Sequence, residues 1–153
     1  IRECFAKTST NSSTSRFEMA SGILDTSTLI LLASIADTSS LPTEPLITAV
    51  TLAELSVGPL VAGDDAERAA RQAHLQQAES DFDPLPFDAE AARAFGRVAA
   101  DLRAAGRKPA ARAYDAMIAA IGIARGLPIH TCNPDDFRGI SQLTVIPVVN
   151  PSS

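Results

Sequence analysis

Short apolar runs in this chain alternate with longer stretches in which apolar residues recur every three to four positions. The run Gly22-Ile23-Leu24 ends at Asp25 and reads as a short buried strand. Residues 26–36 follow as a helix with Leu29, Leu32 and Ala36 on one face. Residues 45–49 form a second strand candidate, and residues 51–57 a helix stopped by Gly58-Pro59. Residues 64–80 are rich in Ala and Gln and favour a long helix. Residues 82–87 read as a third strand interrupted by prolines, which suits a sheet edge. Asp88 is placed to cap a helix carrying Ala92, Phe95, Ala99 and Leu102 on one face, closed by Gly106. Pro109 can open the next helix, in which Met117, Ala120, Ile121 and Ala124 repeat with helical spacing until Gly126. Residues 129–132 and 143–147 are the last strands. This alternation predicts an α/β fold of three layers, α/β/α, around a mostly parallel sheet. In such sheets ligands bind at the carboxyl ends of the strands.

The ends of the chain do not share the pattern. Residues 8–15 are all Ser, Thr or Asn and cannot bury apolar surface. Met19 stands near the expected natural start, which makes residues 1–18 a leader or upstream extension, residues 19–149 the domain and residues 150–153 a frayed tail. A chain of 153 residues with 46% hydrophobic and 20% charged content suits one soluble domain. No apolar stretch is long enough to span a bilayer. With no secretion signal, the expected location is the cytoplasm. Cys4 and Cys132 lie in unrelated contexts and are expected to be free thiols.

The net charge of −5 argues weakly against a nucleic-acid partner, but its distribution reverses the argument. No Lys or Arg occurs between Arg16 and Arg68. The stretch from Arg93 to Arg112 carries six basic residues and one acid, a local balance of +5. Within it Arg103, Arg107, Lys108 and Arg112 are candidates to hold a polyanion backbone. Taken alone, the stretch reads as a solvated amphipathic helix.

Four acids, Asp25, Glu54, Asp115 and Asp136, fall at strand-to-helix transitions or on inward helical positions. Carboxylates gathered at one spot raise one another's pKa. A divalent cation removes that penalty, and hard oxygen ligands suit Mg²⁺ or Mn²⁺. Such a site points to phosphate-ester chemistry. Each acid also has a plainer role. Asp25 can cap the helix that follows it. Thr51-x-x-Glu54 fits a capping box. Asp115 can pair with Arg112 three residues earlier. Asp136 stands beside Asp135 in a turn, and spacing does not decide which points inward. His74 reads as solvated and His130 as strand packing, so neither completes a Ser-His-Asp arrangement. No glycine-rich phosphate loop is present.

With these residues in place the chain resembles the PIN-domain ribonucleases of the VapC type, the toxin halves of bacterial and archaeal toxin–antitoxin pairs. The matching pieces are Gly22-Ile-Leu-Asp-Thr-Ser27, Thr51-Leu-Ala-Glu-Leu55, Tyr114-Asp-Ala-Met-Ile-Ala-Ala120, Gly126-Leu-Pro-Ile-His-Thr131 and Asn133-Pro-Asp-Asp-Phe137. They occur in order across nearly all of residues 22–147. The resemblance implies a metal-dependent endoribonuclease, a homodimer and a cognate VapB-like antitoxin. It implies Asp25, Glu54, Asp115 and Asp136 as the acidic metal cluster, and selects Asp136 because the family's acid precedes the Phe. It implies that Thr131 and Asn133 orient the acids or a metal-bound water, and that the substrate is RNA, transfer or ribosomal RNA in particular. The antitoxin is expected to cover a groove near Leu29, Leu32 and Leu55.

A phosphatase of the haloacid-dehalogenase type also begins with an Asp after its first strand. It needs a second Asp two positions on, where this chain has Ser27. A receiver domain needs a lysine that neither Lys7 nor Lys108 is placed to supply. A PIN-like protein that binds RNA or a partner without cutting is the non-enzymatic alternative.

Overall fold

The computed structural model describes residues 20–152. Four short strands form one parallel sheet in the order β2-β1-β3-β4: β1 (Ser21–Leu24), β2 (Glu44–Leu46), β3 (Ile129–Thr131) and β4 (Val145–Pro147). The helices are α1 (Thr26–Leu31), α2 (Ala49–Val57), α3 (Asp65–Asp81), α4 (Ala89–Ala104) and α5 (Ala113–Arg125). The expected α/β architecture is therefore present. The leader and Met19 lie outside the described residues, as does Cys4.

Burial explains the layering. Strand side chains alternate between faces. Ile23 and Ile129, partners in register, pack with Ile118 and Ile121 of α5 and with Phe137. The opposite face carries Leu24 and His130, likewise register partners. Beside it Ile35, Cys132 and Val148 gather under Leu31, Leu32 and Leu41. Gly22 is required here, because a Cβ on it would lie 2.3 Å from the His130 ring. His130 is buried strand packing, with Nδ1 2.6 Å from the Ser40 carbonyl. α5 is enclosed around its middle, with Ala116, Ile118, Ala119, Ala120 and Ile121 all inaccessible. It ends at Gly126, whose φ of 65° supplies the left-handed cap.

Several local expectations change. The first helix stops at Leu31, tightens into a 3₁₀ turn over Leu32–Ser34 and leaves Ala36 exposed. Ile35 needs extended backbone to reach its cluster beside Cys132 and Val148. The strand expected at residues 82–87 contracts to a single parallel bridge between Leu85 and Thr48. Leu85 donates to the Ile47 carbonyl and its own carbonyl accepts from Ala49, while Pro84 and Pro86 can donate nothing. The helix expected from residue 51 begins at Ala49, capped by Thr48. On α4 the buried face is Ala91, Ala94, Val98 and Leu102, so Ala92 points to solvent. Pro109 opens a 3₁₀ turn, Pro109–Arg112, rather than the α-helix itself.

Candidate active site

The carboxyl ends of β1 and β3 are adjacent in the sheet, and the candidate acids collect around them. Asp25 directly follows β1 and is 2% exposed. It caps α1 by accepting from the Thr28 amide, so the capping role is real. Its other oxygen accepts from Thr131 Oγ1 at 2.8 Å and from Ser27 Oγ at 3.4 Å. One side chain thus caps the helix with one oxygen and accepts from Thr131 and Ser27 with the other. Burial pushes its pKa up, and the hydrogen bonds from Thr28, Thr131 and Ser27 pull it back down.

Glu54 lies on α2 and takes no part in a capping box, because Thr48 rather than Thr51 caps that helix. It accepts instead from Thr26 Oγ1 at 2.7 Å, and the Thr51 hydroxyl lies 3.0 Å from that same Thr26 oxygen. Burial raises its pKa, and the nearby charge of Asp25 raises it further.

Asp115 stands in the first turn of α5. Its pKa is pushed up to about 6, first by burial and then by the charges of Asp136, Asp25 and Glu54. Arg112 opposes the rise. The expected direct pair of Arg112 with Asp115 does not form. Arg112 Nη1 donates to Asp136 Oδ1 at 2.7 Å instead. Asp136 sits in the 3₁₀ turn Pro134–Phe137. Asp135 beside it is turned outward toward Arg138.

All four acids thus lie in one electrostatic neighbourhood, each from a different segment. Thr131 touches Asp25 directly and also accepts from the Asn133 amide. Asn133 reaches the acids through Ser27, whose hydroxyl accepts from Asn133 Nδ2 at 3.0 Å. From the sequence, Thr26 and Ser27 have no expected role in the site, and Thr51 is expected only as a helix cap. Thr26 and Ser27 stand next to Asp25, where a helix start alone explains them.

The donor set is hard oxygen with three carboxyls held above their ordinary range, which fits a divalent cation. Among the described residues no three acidic, His or Cys side chains converge on one point. Asp25, Glu54 and Asp136 each turn toward a hydroxyl or guanidinium donor.

The basic candidates divide in two. Arg103 and Lys108 are exposed and make no ion pair among the described residues. Arg107 donates from Nη1 to the carbonyls of Asp135 and Arg138, at 2.8 and 2.7 Å. These flank Asp136, so Arg107 ties the acid's turn to the end of α4. Asp101 adds a second tie by accepting from the Ser141 amide and hydroxyl.

A family model described as the PIN domain matches residues 23–143, from within β1 to just before β4. The chain belongs to the PIN-domain family. This PIN domain is 37% identical over 132 residues to Ribonuclease VapC5 of Mycobacterium tuberculosis, covering 85% of this chain and 95% of that protein. It is also similar to a crystal structure from the same organism, a member of the VapBC family of toxin–antitoxin systems, VapBC-5. There the TM-score is 0.72 and the identity 37%, over 84% of this chain and 99% of the other. A DNA-bound VapBC from Salmonella typhimurium gives a TM-score of 0.67 at 26% identity, over 84% and 98%. The parallel four-stranded sheet flanked by helices is thus a PIN fold.

Proposed function

We propose that this PIN domain is a Mg²⁺- or Mn²⁺-dependent endoribonuclease, the toxin of a toxin–antitoxin pair. The observation that carries the reading is the gathering of four carboxyls from four separate segments around the carboxyl ends of β1 and β3, with Asp25 held by Thr131, Glu54 by Thr26, Asp136 by Arg112, and Asp115 near enough to feel the other three. Its likeness to Ribonuclease VapC5 supports RNA as the polymer cut.

A divalent cation bound by Asp25, Glu54, Asp115 and Asp136 would supply an activated water and charge stabilisation for the leaving oxygen. The chain's own residues prepare that chemistry. Thr131 and Ser27 fix the Asp25 oxygens, and Thr26 fixes Glu54. Without a cation, burial and then the neighbouring charges raise the pKa of Asp115 to about 6, and a bound cation would draw it back down, so that Asp115 would hold the metal as a carboxylate. Arg112 places a positive charge beside Asp136, where a phosphodiester would enter. Asn133 orients Ser27 and through it Asp25, a positioning role.

Transfer or ribosomal RNA is the substrate class, the protein acts in the cytoplasm, and a VapB-like antitoxin neutralises a homodimer. Of the residues expected to line the antitoxin groove, Leu55 packs with Ile47 and Ala78, Leu29 is partly buried against them, and Leu32 is partly buried against the cluster of Ile35 and Cys132. Ile30, Val57, Leu60 and Val61 are the exposed apolar residues of that region, and an antitoxin's apolar segment would meet these.

The test is cleavage of total cellular RNA by the purified chain. Fragments should appear with Mg²⁺ and vanish in chelator and in Asp25→Asn. Cutting that survives both would end the reading. RNA binding without any cutting would favour the silent PIN-like alternative.

A further inference from the structure

An open pocket of about 380 Å³ adjoins the acids. Glu54, Asp115 and Arg112 line it. Tyr114 lines it too, and its remaining lining is the alanines around the turn that leads into α5. Tyr114 is 56% exposed and has no ring partner among the described residues. It immediately precedes Asp115, so the ring and the carboxyl are fixed to the same first turn of α5. The pocket's volume lies at the low end of small-molecule sites, about 300–1,000 Å³, and admits one base with its sugar.

We propose that this pocket is a base subsite, in which Tyr114 stacks on an unpaired nucleobase next to the scissile phosphate. The inference rests on the nuclease reading above. Three features carry it. An exposed aromatic ring beside a catalytic acid offers a π-face that any base can use. The alanines leave the base room to enter, where longer side chains would fill the space. Arg112 lines the same cavity, so a cation adjoins the position of the flanking phosphate. A base within a helix is already stacked on both faces and cannot enter. The subsite therefore selects single strands, loops and bulges over duplex, without reading base identity.

The chain has one tyrosine and no tryptophan, so its intrinsic fluorescence reports on Tyr114 alone. The experiment titrates short single-stranded RNA oligonucleotides into the full Asp25→Asn chain with Mg²⁺. Tyrosine emission is followed beside the anisotropy of a dye-labelled oligonucleotide. Saturable quenching should track the anisotropy, and a duplex of the same sequence should quench far less. On the same background Tyr114→Ala should weaken binding about tenfold, the order of one lost base stack, while Tyr114→Phe should bind like the parent. Binding by anisotropy with no quenching, and with Tyr114→Ala unchanged, would overturn the subsite and leave the nuclease reading standing. Equal loss in the Phe and Ala variants would mean that the phenol hydroxyl acts rather than the ring, and would also overturn stacking. No binding by either signal would remove the subsite together with the RNA reading.

Discussion

The two halves of the acid cluster are held by different physics. Asp25 and Glu54 come from the stretch without a basic residue, and neutral hydroxyls hold them: Thr131 and Ser27 on one, Thr26 on the other. Asp115 and Asp136 come from the basic part of the chain, where Arg112 answers Asp136 and Arg107 ties down its turn. A hydroxyl orients a carboxylate without cancelling its charge. A guanidinium does both, and must be displaced or shared when another cation arrives. The first pair is therefore built for aim and the second for charge balance. Damage to the two halves should differ in kind.

The largest effect is expected at Glu54. Glu54→Gln keeps the side chain's size and an acceptor for Thr26, and the helix cap belongs to Thr48. Cleavage should fall by orders of magnitude while the thermal midpoint stays level or rises. An active Glu54→Gln enzyme would remove Glu54 from the site. Next in size is Thr131→Val, which deletes the hydroxyl that donates to Asp25 and accepts from Asn133. Stability should drop by about 1–3 kcal/mol, the cost of leaving buried polar groups unpaired, and activity should fall with it. Thr131→Ser should restore both. If Val matched the parent in denaturant melts and cleavage, the hydroxyl relay would have no function.

The charge-balanced half should answer to pH. The folded-state pKa of Asp115, about 6, lies above its ordinary 3.8. Between those values the folded state binds more protons than the unfolded one. Asp115 thus favours folding at low pH, and that contribution is lost as pH rises through 6. In chelator, Asp115→Asn should melt a few degrees above the parent at pH 7, with the gap closing near pH 4. His130 works in the opposite sense. Burial depresses its pKa, so protonating it as pH falls below 6.5 destabilises the fold. Both proteins carry His130, so their difference isolates Asp115. A gap that widened toward acid would reverse the sign. The smallest effect is expected at Arg103 and Lys108, which have no ion-pair partner among the described residues. Replacing both with Gln should leave melting unchanged and lower the slope of log affinity for RNA against log salt by roughly one to two. An unaltered slope would make them ordinary solvated surface.

The same contrast decides what the sequence made legible. Strand order along the chain and the carboxyl-end location of Asp25 followed from apolar runs that end in an acid. What failed was local competition. Thr48 and Thr51 are both able to cap, and only the path of the chain after β2 selects Thr48. On α4 alanines populate every face, so the pattern at Ala92 and Ala99 mimicked the true face at Ala91, Ala94 and Val98. At residues 82–87 alternating prolines left backbone for one bridge where apolar content suggested a strand. Arg112 found Asp136 rather than Asp115 because that contact spans 24 residues and has no local signature. The hydroxyls of Thr26 and Ser27 were hidden by their fit to a helix start. The outward turn of Asp135 was left open by spacing and decided by the fold.

The central claim is that four carboxyls from four segments form one cation-dependent centre. NMR titration of the Asp115 carboxyl, in chelator and again with saturating Mg²⁺, tests it most directly. The account predicts a midpoint near 6 without metal and a large downward displacement when Mg²⁺ is present, with the metal-free midpoint itself falling in Glu54→Gln as one neighbouring charge is lost. A midpoint near the ordinary 3.8, unmoved by Mg²⁺ and by Glu54→Gln, would contradict it.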